Sequence, residues 1–247
     1  MEYRIDYYNT LPSTNTFLKQ LATEGEPAGK VIIAKEQTGG RGRFGRSFFS
    51  PFGTGLYMSI LIRPKLAAEQ ALFITTSTAV AVANAIDCVT GAISGESEKA
   101  GIKWVNDIFH KGKKVSGILT ESEIENGFLK YAVVGIGVNL FEPENGFPDD
   151  LKNVASSVLR NVSETNTYSL LIKEILHNFD GYMRNPHKME YLNEYREKSI
   201  LIDKKVSFDN EEGTVLGIDD NAGLIVQCGK IVKILNSGEV SVKAYEI

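Results

Sequence analysis

The sequence predicts an α+β fold in which a mixed, mostly antiparallel sheet carries helices packed on one face, followed by a small SH3-like β barrel. Between residues 102 and 138, short apolar runs alternate with turn residues, as in an antiparallel meander. Two later segments space their apolar residues as helices do. Beyond residue 200, five short apolar runs are separated by turns rich in Asn, Asp and Gly. We therefore expect one domain at 1–199 and a second at 200–247.

The N-terminal half alternates strand and helix signals. A helix should begin after Pro12, capped by Ser13 or Thr14, and end near Gly25. A later Ala-rich segment without Gly or Pro predicts a long buried helix that Gly91 ends. The predicted strands are 3–8, 31–34 and 55–62, the predicted loop is 38–46, and the long helix is 67–89.

The meander and the elements after it follow from the same signals. The predicted strands are 102–105, 108–110, 115–121 and 129–138, the helices are 170–183 and 189–198, and the last short strands are 206–208, 213–215, 224–226, 231–233 and 240–242. Both helices should pack on the same face of the sheet, because each has one apolar side.

Composition narrows the class of protein. The chain has 247 residues, 43% hydrophobic and 23% charged, with a net charge of −4, so bulk electrostatics attract it neither to nucleic acid nor to an anionic membrane. Two cysteines make neither a disulfide framework nor a four-ligand zinc site. The N-terminus lacks a secretory signal, and we expect no apolar run that approaches the roughly 20 residues of a membrane span. We expect a cytoplasmic protein.

A Gly/Arg loop at 37–46 contains four glycines and three arginines. Glycine lets backbone approach a ligand closely, and arginine offers fixed donors to phosphate and carboxylate oxygens. Residues 30–65 contain seven basic residues and one acidic residue, which predicts an anionic ligand. A solvated basic loop that touches nucleic acid is the alternative. The Walker A pattern is absent.

Three further segments carry weaker signals. Residues 101–108 hold the single Trp and the pair Asn106-Asp107, which suits a ribose or adenine and a metal ion but is also a common turn pair. Residues 133–140 form an apolar strand with two glycines, a pattern that marks either close ligand approach or plain core. Ser13-Thr14-Asn15 needs no role beyond a helix cap.

In this order and spacing, the segments together resemble biotin protein ligases. The motifs are Ser13-Thr14-Asn15, Gly-Arg-Gly-Arg-x-Gly-Arg at 40–46 followed by Ser50-Pro51-Phe52-Gly53, Lys-Trp-x-Asn-Asp at 103–107, Lys-x-x-Gly-Ile-Leu at 114–119 and Gly-x-Gly-x-Asn at 135–139. Residues 217–219 and 237–241 extend the likeness into the C-terminal region. The resemblance implies that the main sheet is like that of class II synthetases and of biotin and lipoate ligases.

The resemblance also implies a two-step reaction. Biotin and ATP, with Mg²⁺, would give biotinyl-5′-AMP and pyrophosphate, and biotin would then pass to a lysine of a biotin carboxyl carrier protein of acetyl-CoA carboxylase. The residues implied in biotin binding are Ser13, Thr14, Asn15, Gln37, Gly40, Arg41, Gly42, Arg43, Lys114 and Gly117, those implied on the nucleotide side are Arg43, Arg46, Phe48, Lys103, Asn106, Asp107 and Asn139, and Arg43 and Lys114 would be catalytic. No metal ligands are assigned.

Some departures and alternatives accompany the resemblance. The family's usual Lys-Trp-Pro-Asn-Asp contains Val105 here, for which we expect a mild effect. The likeness starts by Tyr7, with no DNA-binding region before it, so we expect no repressor activity. A lipoate or octanoate ligase or transferase is the nearest alternative, and a nucleic-acid-binding module using the Gly/Arg loop is the second. The resemblance allows a homodimer but does not fix one.

Overall fold

The computed structural model describes residues 1–95, 97–160, 166–184, 190–238 and 240–242. Its main sheet has seven strands in the order β1-β2-β3-β7-β6-β5-β4. These strands are β1 (Arg4–Leu11), β2 (Lys30–Gln37), β3 (Gly55–Ile62), β4 (Gly101–Lys103), β5 (Asp107–His110), β6 (Lys113–Glu125) and β7 (Phe128–Asn139). Only β1 and β2 run parallel, so the predicted mixed, mostly antiparallel sheet is confirmed.

Three helices cover one face of this sheet: α2 (Ala71–Ser94), α3 (Thr167–Arg184) and α4 (Glu190–Glu197). They share one core with the strands, and Phe179 and Tyr195 are fully buried in it. Apolar residues on one side of α3 and of α4 explain their packing, whereas α2 is buried on all sides over most of its length. Met189, which we expected in the last helix, lies outside the described residues.

The prediction that Gly91 ends the long helix is wrong. The helix α2 continues to Ser94, and Gly95 ends it with φ of 63°, donating its N–H to the carbonyl of Thr90. A left-handed residue after the last turn satisfies an otherwise unpaired carbonyl, and glycine takes that conformation without a steric penalty. Gly91 is exposed within the helix, where glycine is tolerated at a modest cost.

The same helix corrects the expectation about membrane-length runs. Ala68–Ser94 spans 27 residues and is long and apolar enough to cross a bilayer by length and composition. However, 72% of its most apolar window is buried inside the protein. It lies between the sheet and the other two helices, so its apolar character is that of a core helix.

Helix α1 (Thr14–Thr23) packs on the opposite face of the sheet. Ser13 caps it, since the Ser13 side chain accepts the backbone N–H of Thr16. Leu18 and Ala22 contact Ile32 and Val133 in a small second core. The helices of the main core therefore lie on one face as predicted, and this short helix adds a partial second layer whose N-terminus faces the functional site.

A five-stranded antiparallel sheet follows, in the order β11-β10-β9-β8-β12. Its strands are β8 (Lys205–Phe208), β9 (Glu211–Ile218), β10 (Leu224–Cys228), β11 (Ile231–Leu235) and β12 (Ser241–Val242). Val206 and Val215 belong to the same buried core as the helices of the main domain. The two predicted domains therefore share apolar contacts.

Candidate active site

An open cleft lies where the Gly/Arg loop, the start of α1, strands β6 and β7 and the C-terminal sheet meet. Most of the site residues predicted from the sequence line it. They are Ser13, Thr14, Asn15, Gln37, Arg41, Gly42, Arg43, Arg46, Phe48, Lys103, Asn106, Asp107, Lys114 and Gly117. The fold therefore brings together predicted residues that are up to about a hundred positions apart in the chain, and Gly238 and Val240 of the C-terminal region join them.

The Gly/Arg loop is a tight hairpin between β2 and β3. The carbonyl of Gly40 accepts the N–H of Phe48 at 2.9 Å, and Arg41 pairs with Ser47. At the tip, Phe44 has φ of 55° and Gly45 has φ of 75°. The glycine spacing Gly-x-Gly-x-x-Gly at 40–45 matches a dinucleotide fingerprint, but a strand and not a helix comes next, so the loop lacks that motif's context.

Three strand glycines form the floor of the cleft. Gly117 pairs with Gly137 across β6 and β7, and Gly135 pairs with Leu119. A Cβ on Gly137 would lie 2.6 Å from the ring of Phe48, and one on Gly135 would lie 2.2 Å from the Asn15 side chain. Side chains at these positions would displace both neighbours, so the glycines keep room for the loop and for a ligand.

The N-terminus of α1 is fixed by a buried hydrogen-bond network. Gln37 Oε1 accepts the backbone N–H of Thr14 at 2.8 Å and lies 3.1 Å from its hydroxyl. Ser59 Oγ lies 2.8 Å from Thr14 Oγ1 and 2.6 Å from Asn15 Oδ1, and a hydroxyl with one proton donates to one of them at a time. Ser59 is fully buried on β3.

Asn15 is held at all of its polar atoms by protein groups. Its Nδ2 donates to the carbonyl of Leu119 and to Glu121 Oε2, both at 3.1 Å. Its Oδ1 lies beside Ser59, as described above. The amide therefore has one orientation in the cleft wall.

Arg41 is paired with Glu121 by two hydrogen bonds. Arg41 Nη1 donates to Oε2 at 3.2 Å and Nη2 donates to Oε1 at 3.1 Å. Lys19 Nζ also lies 3.7 Å from this carboxylate. The loop is thereby joined to β6 by a fork-shaped, charge-assisted contact.

Arg43 ties the loop to two other parts of the protein. Its Nη1 donates to Asn106 Oδ1 at 3.0 Å, and its Nη2 donates to the carbonyl of Gly238 at 3.2 Å. Its guanidinium also stacks on the ring of Phe44, 4.9 Å from the centroid. Gly238 precedes β12, so this one side chain links the loop to the C-terminal sheet.

Lys114 and Asp107 form an ion pair at 2.7 Å on the cleft wall. The Lys114 ammonium also lies 3.4 Å from the position a Cβ on Gly117 would take. Among the described residues that line the cleft there are five Arg or Lys side chains and one carboxylate, Asp107. The cleft is therefore suited to an anionic ligand.

The Lys-Trp-Val-Asn-Asp segment leaves the sheet after Lys103, so the strand predicted at 102–105 is shorter than expected. Trp104 Nε1 donates to the carbonyl of Ala222 at 2.9 Å, and the Tyr195 hydroxyl donates to the carbonyl of Val105 at 3.1 Å. Burial raises the pKa of Tyr195 well above its ordinary value, so this hydroxyl keeps its proton. Both contacts hold the segment from its buried side.

Two of the predicted site residues do not line the cleft. Gly40 has no room for a side chain, since a Cβ would lie 2.3 Å from the carbonyl oxygen of Phe48, so it shapes the loop. Asn139 ends β7 and donates to the carbonyl of Ser156 at 3.3 Å. The sequence also gave no reason to select Ser59 or Glu121, because their partners are distant in the chain.

The described residues do not fit a resident metal ion. None of their His, Cys, Asp and Glu side chains forms a group of three or more that could hold one. Asp107, the described carboxylate lining the cleft, is paired with Lys114.

The family model described as the biotin/lipoate A/B protein ligase family matches residues 7–139. That span begins within β1 and ends with β7, and it contains the floor and most walls of the cleft. The chain belongs to this family. The nucleic-acid alternative is disfavoured by the geometry, because the arginines of the Gly/Arg loop line a cleft and two of them are anchored there.

Curated relatives in this family are similar along almost the whole chain. The bifunctional ligase/repressor BirA of Bacillus subtilis is 30% identical in an alignment that covers 97% of this chain and 74% of that protein. The biotin–(acetyl-CoA-carboxylase) ligase of Mycobacterium tuberculosis is 27% identical over 96% of this chain and 88% of that protein.

A solved structure has the same fold. The biotin protein ligase from Aquifex aeolicus in complex with biotin and ATP gives a TM-score of 0.77 at 24% identity, covering 97% of this chain and 98% of that one. The predicted fold class, with its main sheet and C-terminal β region, is therefore confirmed.

Proposed function

We propose that this chain is an ATP-dependent biotin protein ligase. It activates biotin to biotinyl-5′-AMP with release of pyrophosphate and then transfers biotin to a protein lysine. The observation that carries the proposal is the cleft itself, in which five cationic side chains and one carboxylate surround a floor of strand glycines. A binding site for two anions requires this kind of charge excess.

The first step joins the biotin carboxylate to the α-phosphorus of ATP. A carboxylate oxygen forms the new P–O bond, the bond from the α-phosphorus to the bridging oxygen breaks, and pyrophosphate leaves. No general base is needed, since the carboxylate is already ionised, so positioning and charge stabilisation supply the catalysis. Arg43 and Lys114 are the proposed catalytic cations, each held by neighbouring side chains.

In the second step, a lysine amine attacks the carbonyl carbon of the adenylate. An amide bond forms, the mixed-anhydride C–O bond breaks, AMP leaves and the nitrogen releases a proton to solvent. We propose the biotin carboxyl carrier protein of acetyl-CoA carboxylase as the acceptor, because relatives such as the M. tuberculosis protein are named as ligases for that carboxylase. The open side of the cleft leaves an approach for a lysine.

The individual roles are those that the family resemblance implies, and the positions of the residues in the cleft support them. We assign the biotin ring to the start of α1 and Gln37, the valerate and acyl phosphate to the Gly/Arg loop, and the nucleotide to the side that contains Asn106 and Asp107. The proposed biotin set is Ser13, Thr14, Asn15, Gln37, Arg41, Gly42, Arg43, Lys114 and Gly117, and the proposed nucleotide set is Arg43, Arg46, Phe48, Lys103, Asn106 and Asp107, all of which line the cleft. Gly40 and Asn139 would act from outside it.

Two further assignments belong to this proposal. Mg²⁺ would enter with the ATP phosphates, because the described residues do not form a metal site of their own. Residues 1–199 would form the catalytic domain and 200–247 a C-terminal β domain that assists it. The bond from Arg43 to the carbonyl of Gly238 supports that assistance, since it joins the Gly/Arg loop to the second domain.

Mass spectrometry of small-molecule products tests the function. The purified chain is incubated with ATP and Mg²⁺ together with biotin, lipoate, octanoate or no acid. Biotinyl-AMP in the biotin sample alone is the expected result. An adenylate of lipoate or octanoate instead would keep the reaction type and overturn the substrate, and no adenylate in any sample would overturn the proposal.

A further inference from the structure

Glu121 is a carboxylate beside a cleft whose charged side chains are mostly cationic. It lies on β6 at the same side of the sheet as Gly117, because alternate strand residues face the same way. Its side chain is only 15% exposed. A buried negative charge beside a site for anionic substrates would weaken binding unless its neighbours neutralise it.

Neighbouring donors do neutralise it. Arg41 contacts both carboxylate oxygens, Asn15 Nδ2 donates to one of them, and Lys19 lies 3.7 Å from the other. Glu121 is thus a single acceptor shared by the Gly/Arg loop, the first turn of α1 and the middle of that helix. Arg41 and Asn15 both line the cleft.

The contact to Asn15 extends the influence of Glu121. Asn15 Nδ2 donates one hydrogen to Glu121 and the other to the carbonyl of Leu119, so its Oδ1 must face Ser59. Ser59 also lies beside Thr14 Oγ1, which donates to Gln37. Removing the acceptor at Glu121 would therefore loosen a network that continues to the other side of the proposed biotin ring site.

We propose that Glu121 is a positioning residue for the acid substrate, fixing Arg41 and Asn15 in the orientations that bind it. This inference rests on the proposed ligase function. Glu121 does not touch the reacting atoms; it acts through the two cleft residues that it holds. A glutamine in its place would turn one acceptor oxygen into a donor, which would oppose a donor of Arg41 or Asn15.

The test compares E121Q with E123Q in the full chain. Glu123 lies two residues further along β6 and pairs with Lys130, and its side chain is 41% exposed, so E123Q removes a carboxylate without reaching the cleft. We measure Kd for biotin and for ATP by calorimetry, KM and kcat for adenylate formation, and the melting temperature. For E121Q we expect the biotin Kd and KM to rise about ten- to thirtyfold, as for loss of charge-assisted hydrogen bonds.

The split between parameters separates positioning from a structural defect. We expect the ATP Kd of E121Q to stay within about twofold of wild type and E123Q to match wild type, since only the biotin side of the cleft is altered. Equal loss of biotin and ATP binding with a lower melting temperature would overturn the proposal, as would unchanged biotin binding. Tighter biotin binding would also overturn it, because it would mean that Glu121 competes with the substrate for Arg41.

A double-mutant cycle with R41A gives a second check. If Glu121 acts through Arg41, the fold increase in biotin Kd of the double variant should be well below the product of the fold increases of the two single variants. Independent, multiplicative effects would refute that route. A wild-type chain that makes no biotinyl-AMP would refute the ligase function, whereas normal adenylate formation with an unaffected E121Q would refute this inference alone.

Discussion

Replacing Gly135 by alanine should disable the cleft through Asn15. The added Cβ would lie 2.2 Å from Asn15 Oδ1 and 2.8 Å from Asn15 Cγ, so the whole amide must move by more than an ångström. Asn15 then loses its contacts to Leu119, Glu121 and Ser59. At about 1 kcal/mol for each hydrogen bond, breaking these contacts costs about 2–3 kcal/mol of free energy.

This free energy should appear in both activity and stability. Because 1.4 kcal/mol corresponds to tenfold, we expect kcat/KM for biotin to fall about 30- to 100-fold. Overpacking of a buried site costs about 1–3 kcal/mol, which for a chain of this size lowers the melting temperature by roughly 2–10 °C. The assay is biotin-dependent exchange of pyrophosphate into ATP, with a thermal melt of the same preparation.

Gly217→Ala is the matched control. Gly217 is also a strand glycine, on β9, and a Cβ built there meets no atom within 4 Å. This variant should keep wild-type activity and melting temperature. If G135A also keeps wild-type kcat/KM for biotin, then Asn15 either adapts without cost or has no part in substrate binding, and the reasoning from the cleft floor fails.

Three further variants test other contacts. K114A should slow adenylate formation far more than K111A in single-turnover kinetics, because Lys114 lines the cleft and is held by Asp107. Equal effects of the two substitutions would show that Lys114 is not the catalytic lysine. R43A should lower both adenylate formation and adenylate retention, measured by filter binding, because it removes the hydrogen bonds to Asn106 and Gly238. The melting temperature should stay close to wild type. Full retention of the adenylate would refute the link to the C-terminal sheet. W104F should lower the free energy of unfolding by about 1–3 kcal/mol in urea, because the buried carbonyl of Ala222 loses its donor, and an unchanged midpoint would contradict this.

The sequence predicted the elements well because their signals are local. The run of strand-forming apolar residues located β3 at residues 55–62, and the structure gives the same bounds. The predicted end of α2 was wrong because any glycine can take the left-handed conformation that ends a helix. In the structure Gly91 stays inside α2 and Gly95 takes that conformation, and the apolar pattern of the sequence does not distinguish the two glycines.

The sequence predicted the site residues that belong to a motif, and it missed those that only the fold brings to the cleft. Ser59 reaches Asn15 across 44 positions of the chain, and Glu121 reaches it across 106. Glu121 is one of several polar residues in its strand, and Ser59 stands in an otherwise apolar run, but neither belongs to a motif. Their importance comes from strand order, which places β3 and β6 on either side of β7 beneath the first turn of α1.

Strand β7 shows how one segment serves both the core and the site. Its residues Val134, Ile136 and Val138 are buried in the main core, whereas Gly135 and Gly137, between them, face the cleft. Because side chains alternate across a sheet, a register slip of one residue would direct branched side chains into the cleft and leave glycines in the core. The pairing of Gly117 with Gly137 is then enforced by the core on the opposite face. The packing that stabilises the fold therefore also keeps the cleft open to a substrate.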